Sequence, residues 1–345
     1  MASGCRDASQ LLQDGIECPL ATLIASWGRS GHHEREFQKR LAVLYVLAVL
    51  LRWCRQHCEL QPDTIRIALK DASHWTGILW PWDILNWLWR HDKLASWMHD
   101  PVEEGPFRVQ EYWQKLEHMD FYRALKLENP NNTIPISWHC DGVKVYKTQK
   151  VWVYSFTSCI RKGPSVSSKL LFLIVRENEL VKDKTHDSIA RLIGYVMQNL
   201  MTGKFPERGP DGKPWPRGSL AEQRSGQQIA GSWRFAFSTF KADLEARVAC
   251  HKLVRNYASN SICEHCLASK LDNGYSYGDF TDEAGYFGTM LSHNDFLLLN
   301  PAGKQSAWLC VPGWQKDRNV DATCPQNFCL RCLLLPFNLF QRVAS

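Results

Sequence analysis

No apolar run in this 345-residue chain approaches the roughly 20 residues that a spanning helix needs. Leu41 to Leu51, eleven apolar residues between Arg40 and Arg52, reads instead as part of a buried helix. The first thirty residues lack a basic start followed by an apolar stretch, so no secretory signal is read there. A Gly-rich phosphate loop, Gly-x-Ser-x-Gly and His-Glu-x-x-His are all missing, which removes the common nucleotide-hydrolase, serine-hydrolase and zincin readings. Internal repeats and low-complexity tracts are missing too. Net charge is only +6, which suits a nucleic-acid partner without requiring one. What the chain does have is thirteen cysteines. Without a secretory signal they are expected as thiols or metal ligands in a reducing compartment, nuclear or cytoplasmic, with no membrane attachment. The Asn131-x-Thr133 match is then chance.

Residues 1–33 carry little periodicity and are expected to be poorly ordered. Glu34 to about Glu59 reads as one long helix. Thr64 to Met98 is helical in pattern and rich in tryptophan, with Trp80 to Trp87 and Trp82 to Trp89 each two helical turns apart. Packing accounts for that spacing; a platform for stacking bases is the sharper alternative. Phe107 to Lys126 reads as a further helix. Glu128 to Asn132 breaks the pattern, and a domain boundary is expected there, closing a Trp-rich helical domain at 34–128.

Beyond it the period changes to two. Ile134 to Cys140 is a short apolar strand ending in Asp141-Gly142. Val151 to Cys159 alternates, and Lys169 to Val175 is continuous in Leu, Phe, Ile and Val. A helix follows from Thr185 to about Leu200, stopped by Gly203. After the Lys204 to Gly218 loop, Leu220 to Ile229 reads as a helix and Ser232 to Thr239 as a fourth strand with Trp233, Phe235 and Phe237 on one face. Asp243 comes next, and Lys241 to Val254 has helical spacing.

This order, strand with Asp, strand, strand, crossover helix, strand with Asp, predicts an α+β or α/β chain. A ribonuclease H-like mixed-sheet core would span 134–260, after the helical region. In that arrangement the first and fourth strands are parallel neighbours. Asp141 and Asp243 would then stand side by side, as a catalytic and metal-binding pair for Mg²⁺ or Mn²⁺. Such ions activate a water or a 3′-hydroxyl against a phosphodiester. The plainer alternatives are an Asp-Gly turn for the first acid and a helix cap for the second.

Cys263-Glu-His-Cys266 is a CxxC, with Cys250-His251 shortly before it and Cys324, Cys329 and Cys332 near the end. A structural zinc site in 261–345 would take Cys263 and Cys266 plus two of Cys250, His251, Cys329 and Cys332. Free thiols are the competing reading.

At Trp138-His-Cys-Asp-Gly142, Phe237-Ser-Thr-Phe-Lys-Ala-Asp243 and Cys263-x-x-Cys266 the chain resembles DDE-type transposase-like proteins of the Plavaka and Kyakuja–Dileera–Zisupton kind. Gly313 to Asp321 resembles a later stretch of such proteins, so the likeness covers about Ile134 to Asp321. It implies DNA as partner and Asp141 and Asp243 as the first two acids of a triad. The sequence departs from the family at Ala242, where glycine is usual, and after Asp321, where histidine and a long continuation are expected. Glu283, Asp295 and Asp317 are stand-ins for the third acid. The expectation is a degenerate, C-terminally incomplete transposase derivative that binds DNA and metal. An active Mg/Mn-dependent nuclease and a non-catalytic zinc-stabilised interaction protein are the alternatives.

Overall fold

The computed structural model describes residues 63–65 and most of 76–312. The helix expected at Glu34 to Glu59, the N-terminal 1–33, the Cys324 to Cys332 cluster and Asp317 lie outside the described residues. The elements run β1 (Asp63–Ile65), β2 (Thr76–Ile78), α1 (Pro81–Arg90), α2 (Leu94–Met98), α3 (Pro106–Gln114), α4 (Asp120–Leu125), β3 (Thr133–Tyr146), β4 (Gln149–Ser158), β5 (Leu170–Arg176), α5 (Thr185–Thr202), α6 (Leu220–Arg224), β6 (Arg234–Ala242) and α7 (Leu244–His251). Six strands form one open mixed sheet in the order β1-β2-β5-β4-β3-β6. β3, β4 and β5 are an antiparallel meander, and β6 returns parallel to β3 after the α5 crossover.

One face of the sheet is built by alternation. Ile134, Ile136, Trp138 and Cys140 of β3, with Tyr154, Phe156 and Phe172 from the neighbouring strands, are all at most 1% exposed. They pack against Ile189, Ile193, Val196, Met197 and Leu200 of α5, spaced three and four apart as a core-facing stripe should be. The Trp138 indole N–H points at the Met197 sulfur, 3.1 Å away. Gly203 ends α5 at φ +72°, a conformation cheap only for glycine.

The opposite face is covered at the start of β3 and β6 by α3 and α4. Val109, Trp113 and Leu125 cluster with Ala236. The Trp113 indole donates to the Thr133 carbonyl at 2.6 Å, and the Tyr112 and Ser238 hydroxyls bond. Helices on both faces thus leave the far ends of β3 and β6, with Asp141 and Asp243, clear of α3 and α4.

Phe107 to Lys126 is not one helix but α3 and α4, with a turn at 115–118 between them. Two further local expectations are corrected. Thr64 to Met98 is not helical throughout: β1 and β2 lie within it, pair antiparallel, and β2 joins the sheet through Ile78 and Leu173. Helix begins at Pro81, whose missing N–H costs nothing at a first turn. Trp80, Trp82, Trp87 and Trp97 belong to the sheet's own core, which is the packing reading, and only Trp89 of that group stands 43% exposed. The second correction is at Leu220 to Ile229, where the helix stops at Arg224; Ser219 caps it, its hydroxyl accepting from the Glu222 N–H.

Candidate functional site

β3 does not end at Asp141. It runs on to Tyr146, with Asp141 opposite Val153 and Gly142 opposite Trp152, so the Asp-Gly pair is strand and not turn. The flexible end of Lys150 lies over the bare backbone of Gly142, where a Cβ would meet its Cε at 1.9 Å. Lys150 passes over the Trp152 ring, 4.5 Å from its centroid, and reaches Glu245 Oε1 at 2.6 Å.

Asp243 follows the last paired residue of β6 and caps α7, its Oδ1 accepting the Ala246 N–H at 2.7 Å. The cap reading is therefore correct for one oxygen, and the second oxygen is not needed for it. Register brings the two acids together. Cys140 pairs with Ala242, the last pair of the ladder, and Asp141 and Asp243 are the next residue along each chain. A bulge decides which way they face. The pairing steps from Ile136–Phe237 to Ser137–Thr239, leaving Ser238 over. Phe240 then joins Phe237 on the α5 face, while Lys241 and Asp243 follow His139 and Asp141 to the other.

The electrostatics agree with this closeness. Burial first, then the Asp243 charge, hold the Asp141 carboxyl above its usual range, against the pull of Lys169 and Lys150. His139, opposite Lys241, is pushed down to about 4 by burial and then by Lys169, and is neutral at neutral pH. Burial also lowers Lys169, which the Asp141 charge partly restores. Two carboxylates that feel each other's charge are relieved by a cation between them. The surrounding lysines suit an anionic ligand such as a phosphodiester.

Sequence reasoning named the two acids but missed His139, Lys150, Lys169, Lys241 and Glu245. His139 and Lys241 were findable, since each stands two residues before an acid and strand alternation puts it on the same face. Glu245 lies in the turn that Asp243 caps. Lys169 stands immediately before β5 and has no local signal. Of the stand-ins for a third acid, Glu283 is exposed in a turn and Asp295 is half-buried in the C-terminal region.

The four zinc candidates fall in different surroundings. Cys250 and His251 belong to the main core, and Cys263 and Cys266 to a small separate cluster with Ala268, Ala284 and Tyr286. Cys250 Sγ lies 3.8 Å from Cys140 Sγ and 3.4 Å from the Tyr154 hydroxyl. The His251 ring packs against Phe240 and Trp308, with centroids 4.8 and 5.4 Å away, and burial holds it down at about 3. Cys263 Sγ accepts the His265 N–H at 3.3 Å. Among the described residues no group of three or more His, Cys, Asp or Glu is arranged to hold a metal ion. Nor, among them, is any helix long and apolar enough to cross a membrane.

No family model, no curated protein and no solved structure matches this chain.

Proposed function

We propose that this chain is a transposase-derived, ribonuclease H-like protein that binds DNA and holds one Mg²⁺ or Mn²⁺ between Asp141 and Asp243. The observation that carries the reading is the parallel pairing of β3 with β6, which sets Cys140 and Ala242, the residues before the two acids, opposite each other. The strand order β5-β4-β3-β6 and the α5 crossover are those the ribonuclease H-like reading calls for. The elevated Asp141 carboxyl is a further support, because two crowded carboxylates gain most from a shared cation.

In this reading Asp141 supplies its carboxylate and Asp243 the oxygen not used by the cap. Mg²⁺ is commonly held by one or two carboxylates with waters completing the shell. When bound, the ion would polarise a phosphodiester oxygen. Lys169 and Lys241 would steady the phosphate, and neutral His139 offers a nitrogen that accepts or donates without adding charge. With the third acid of the triad unassigned, the reading is a binding protein of low strand-transfer activity.

Calorimetric titration of Mn²⁺ into the protein and into Asp141→Ala and Asp243→Ala tests the metal site. Weakened binding in both variants supports it, and unchanged affinity removes it. A DNA mobility shift that weakens as salt rises tests the partner. A plasmid-nicking assay in Mn²⁺ distinguishes an active nuclease.

A further inference from the structure

We propose that Cys140 and Cys250 form an oxidisable dithiol, a redox modification site that closes into an intrachain disulfide between β3 and α7. The two sulfurs already touch, at 3.8 Å. A disulfide needs about 2.05 Å, so closure asks for a combined movement of less than about 2 Å. Both cysteines are free and fully buried, one on a central strand and one in the last turn of the helix packed against it.

Their surroundings are not those of cysteines that only fill space. A buried thiol behaves as a small hydrophobe and needs no polar company. Here the Tyr154 hydroxyl lies 3.4 Å from Cys250 Sγ and 2.5 Å from His186 Nδ1, and His186 Nδ1 lies 3.8 Å from the same sulfur. β3, β4, α5 and α7 each send one of these four side chains into a single polar nest. By contrast Cys310 Sγ contacts the Ala190 carbonyl, and Cys263 Sγ serves its own turn.

The oxidant is a peroxide. One sulfur attacks a peroxide oxygen, the O–O bond breaks, and a sulfenic acid and one water form. The second sulfur then displaces the hydroxyl as another water. Two thiols and hydrogen peroxide thus give one disulfide and two waters, each sulfur losing one electron. A dithiol reductant reverses the change. Closure ties α7, which Asp243 caps, to the residue beside Asp141. The dithiol goes beyond the metal reading and does not depend on it, since neither metal nor DNA binding is its readout.

The test is peptide mapping of the full chain. Reduced protein is treated with hydrogen peroxide, quenched, unfolded, alkylated and digested without reductant. The expected product is a peptide pair joining Cys140 to Cys250, two hydrogen masses lighter than the separate thiol peptides and split by dithiothreitol. Loss of alkylation at both positions accompanies it. Cys140→Ser, checked for unchanged circular dichroism, abolishes the pair. Wild-type protein in which both thiols stay alkylatable, or in which Cys250 is found joined elsewhere or as sulfinic acid, overturns the proposal whether or not the variant folds.

Discussion

Between Thr133 and His251 the backbone bonds run mainly along strand ladders and helices, whereas between Leu253 and Val311 side chains close many of them. In the first region the apolar faces of β3, β6 and α5 bury one another, and the ladder satisfies the backbone at the same time. In the second, Arg255 donates to the carbonyls of Cys263 and Cys266 at 2.8 Å each and of Ala268 at 3.2 Å, gathering the CxxC turn around one guanidinium. Asn256, Ser259, Asn273, Asp279 and Thr289 make short-range bonds to backbone. The two regions meet at Trp308, which packs on Phe240 with centroids 4.4 Å apart, and at buried Glu264, which pairs with Arg247 of α7 and with His265 at 3.2 Å. Burial alone would raise that carboxyl, but the His265 hydrogen bond and the Arg247 charge bring it below its usual range. A region held by area loses stability as a whole when damaged; one held by a few polar side chains can be released by itself.

The largest effect should come from cutting the first region. Trp138→Ala empties the space between Phe156, Phe172 and Met197, and should cost about 3–5 kcal/mol in urea unfolding, with both regions melting earlier. Arg255→Met should cost about 1–3 kcal/mol, since buried carbonyls lose their donors. Its mark is local: hydrogen exchange should speed up around 256–290 while β3, β4 and β6 stay protected. Equal loss in both regions would break the comparison.

Smaller effects separate the two duties of Asp243. Asp243→Ala should lose about 1 kcal/mol with the cap. Asp243→Asn keeps the cap, so its stability should stay within a few tenths of a kcal/mol while Mn²⁺ affinity still falls. The smallest is at Asp141. A carboxyl held above its unfolded value favours the protonated fold, so its stabilisation is complete at acid pH and lost as pH rises through the folded value. Asp141→Asn should therefore raise the melting temperature at pH 7, by about a degree. The gain should vanish below about pH 4. A gain that persists in acid would mean that packing, not charge, is responsible.

Much of the sheet was legible in the chain because each strand carries its face in its own alternation. Trp152, Tyr154 and Phe156 announce β4, and the unbroken Leu170 to Val175 announces a strand flanked on both sides. The tryptophan-rich stretch misled for a physical reason. Thr76–Ile78 is too short to show a period and takes its state from pairing with β5, whereas the helical spacing starts only at Pro81. Lys150 and Lys169 were illegible because they arrive from β4 and from the residue before β5, far from either acid in the chain.

The sequence alone determined that two strands would each lead into an aspartate, since hydrophobic period is local; Asp243 does follow β6, while Asp141 lies within β3. Only the tertiary structure decided that both face the same side. Straight alternation from Phe235 and Phe237 would send Asp243 toward α5, away from Asp141. The extra residue at Ser238 reverses that. A bulge exists only against a partner strand, so its position is fixed by pairing with β3 and not by anything in β6 itself.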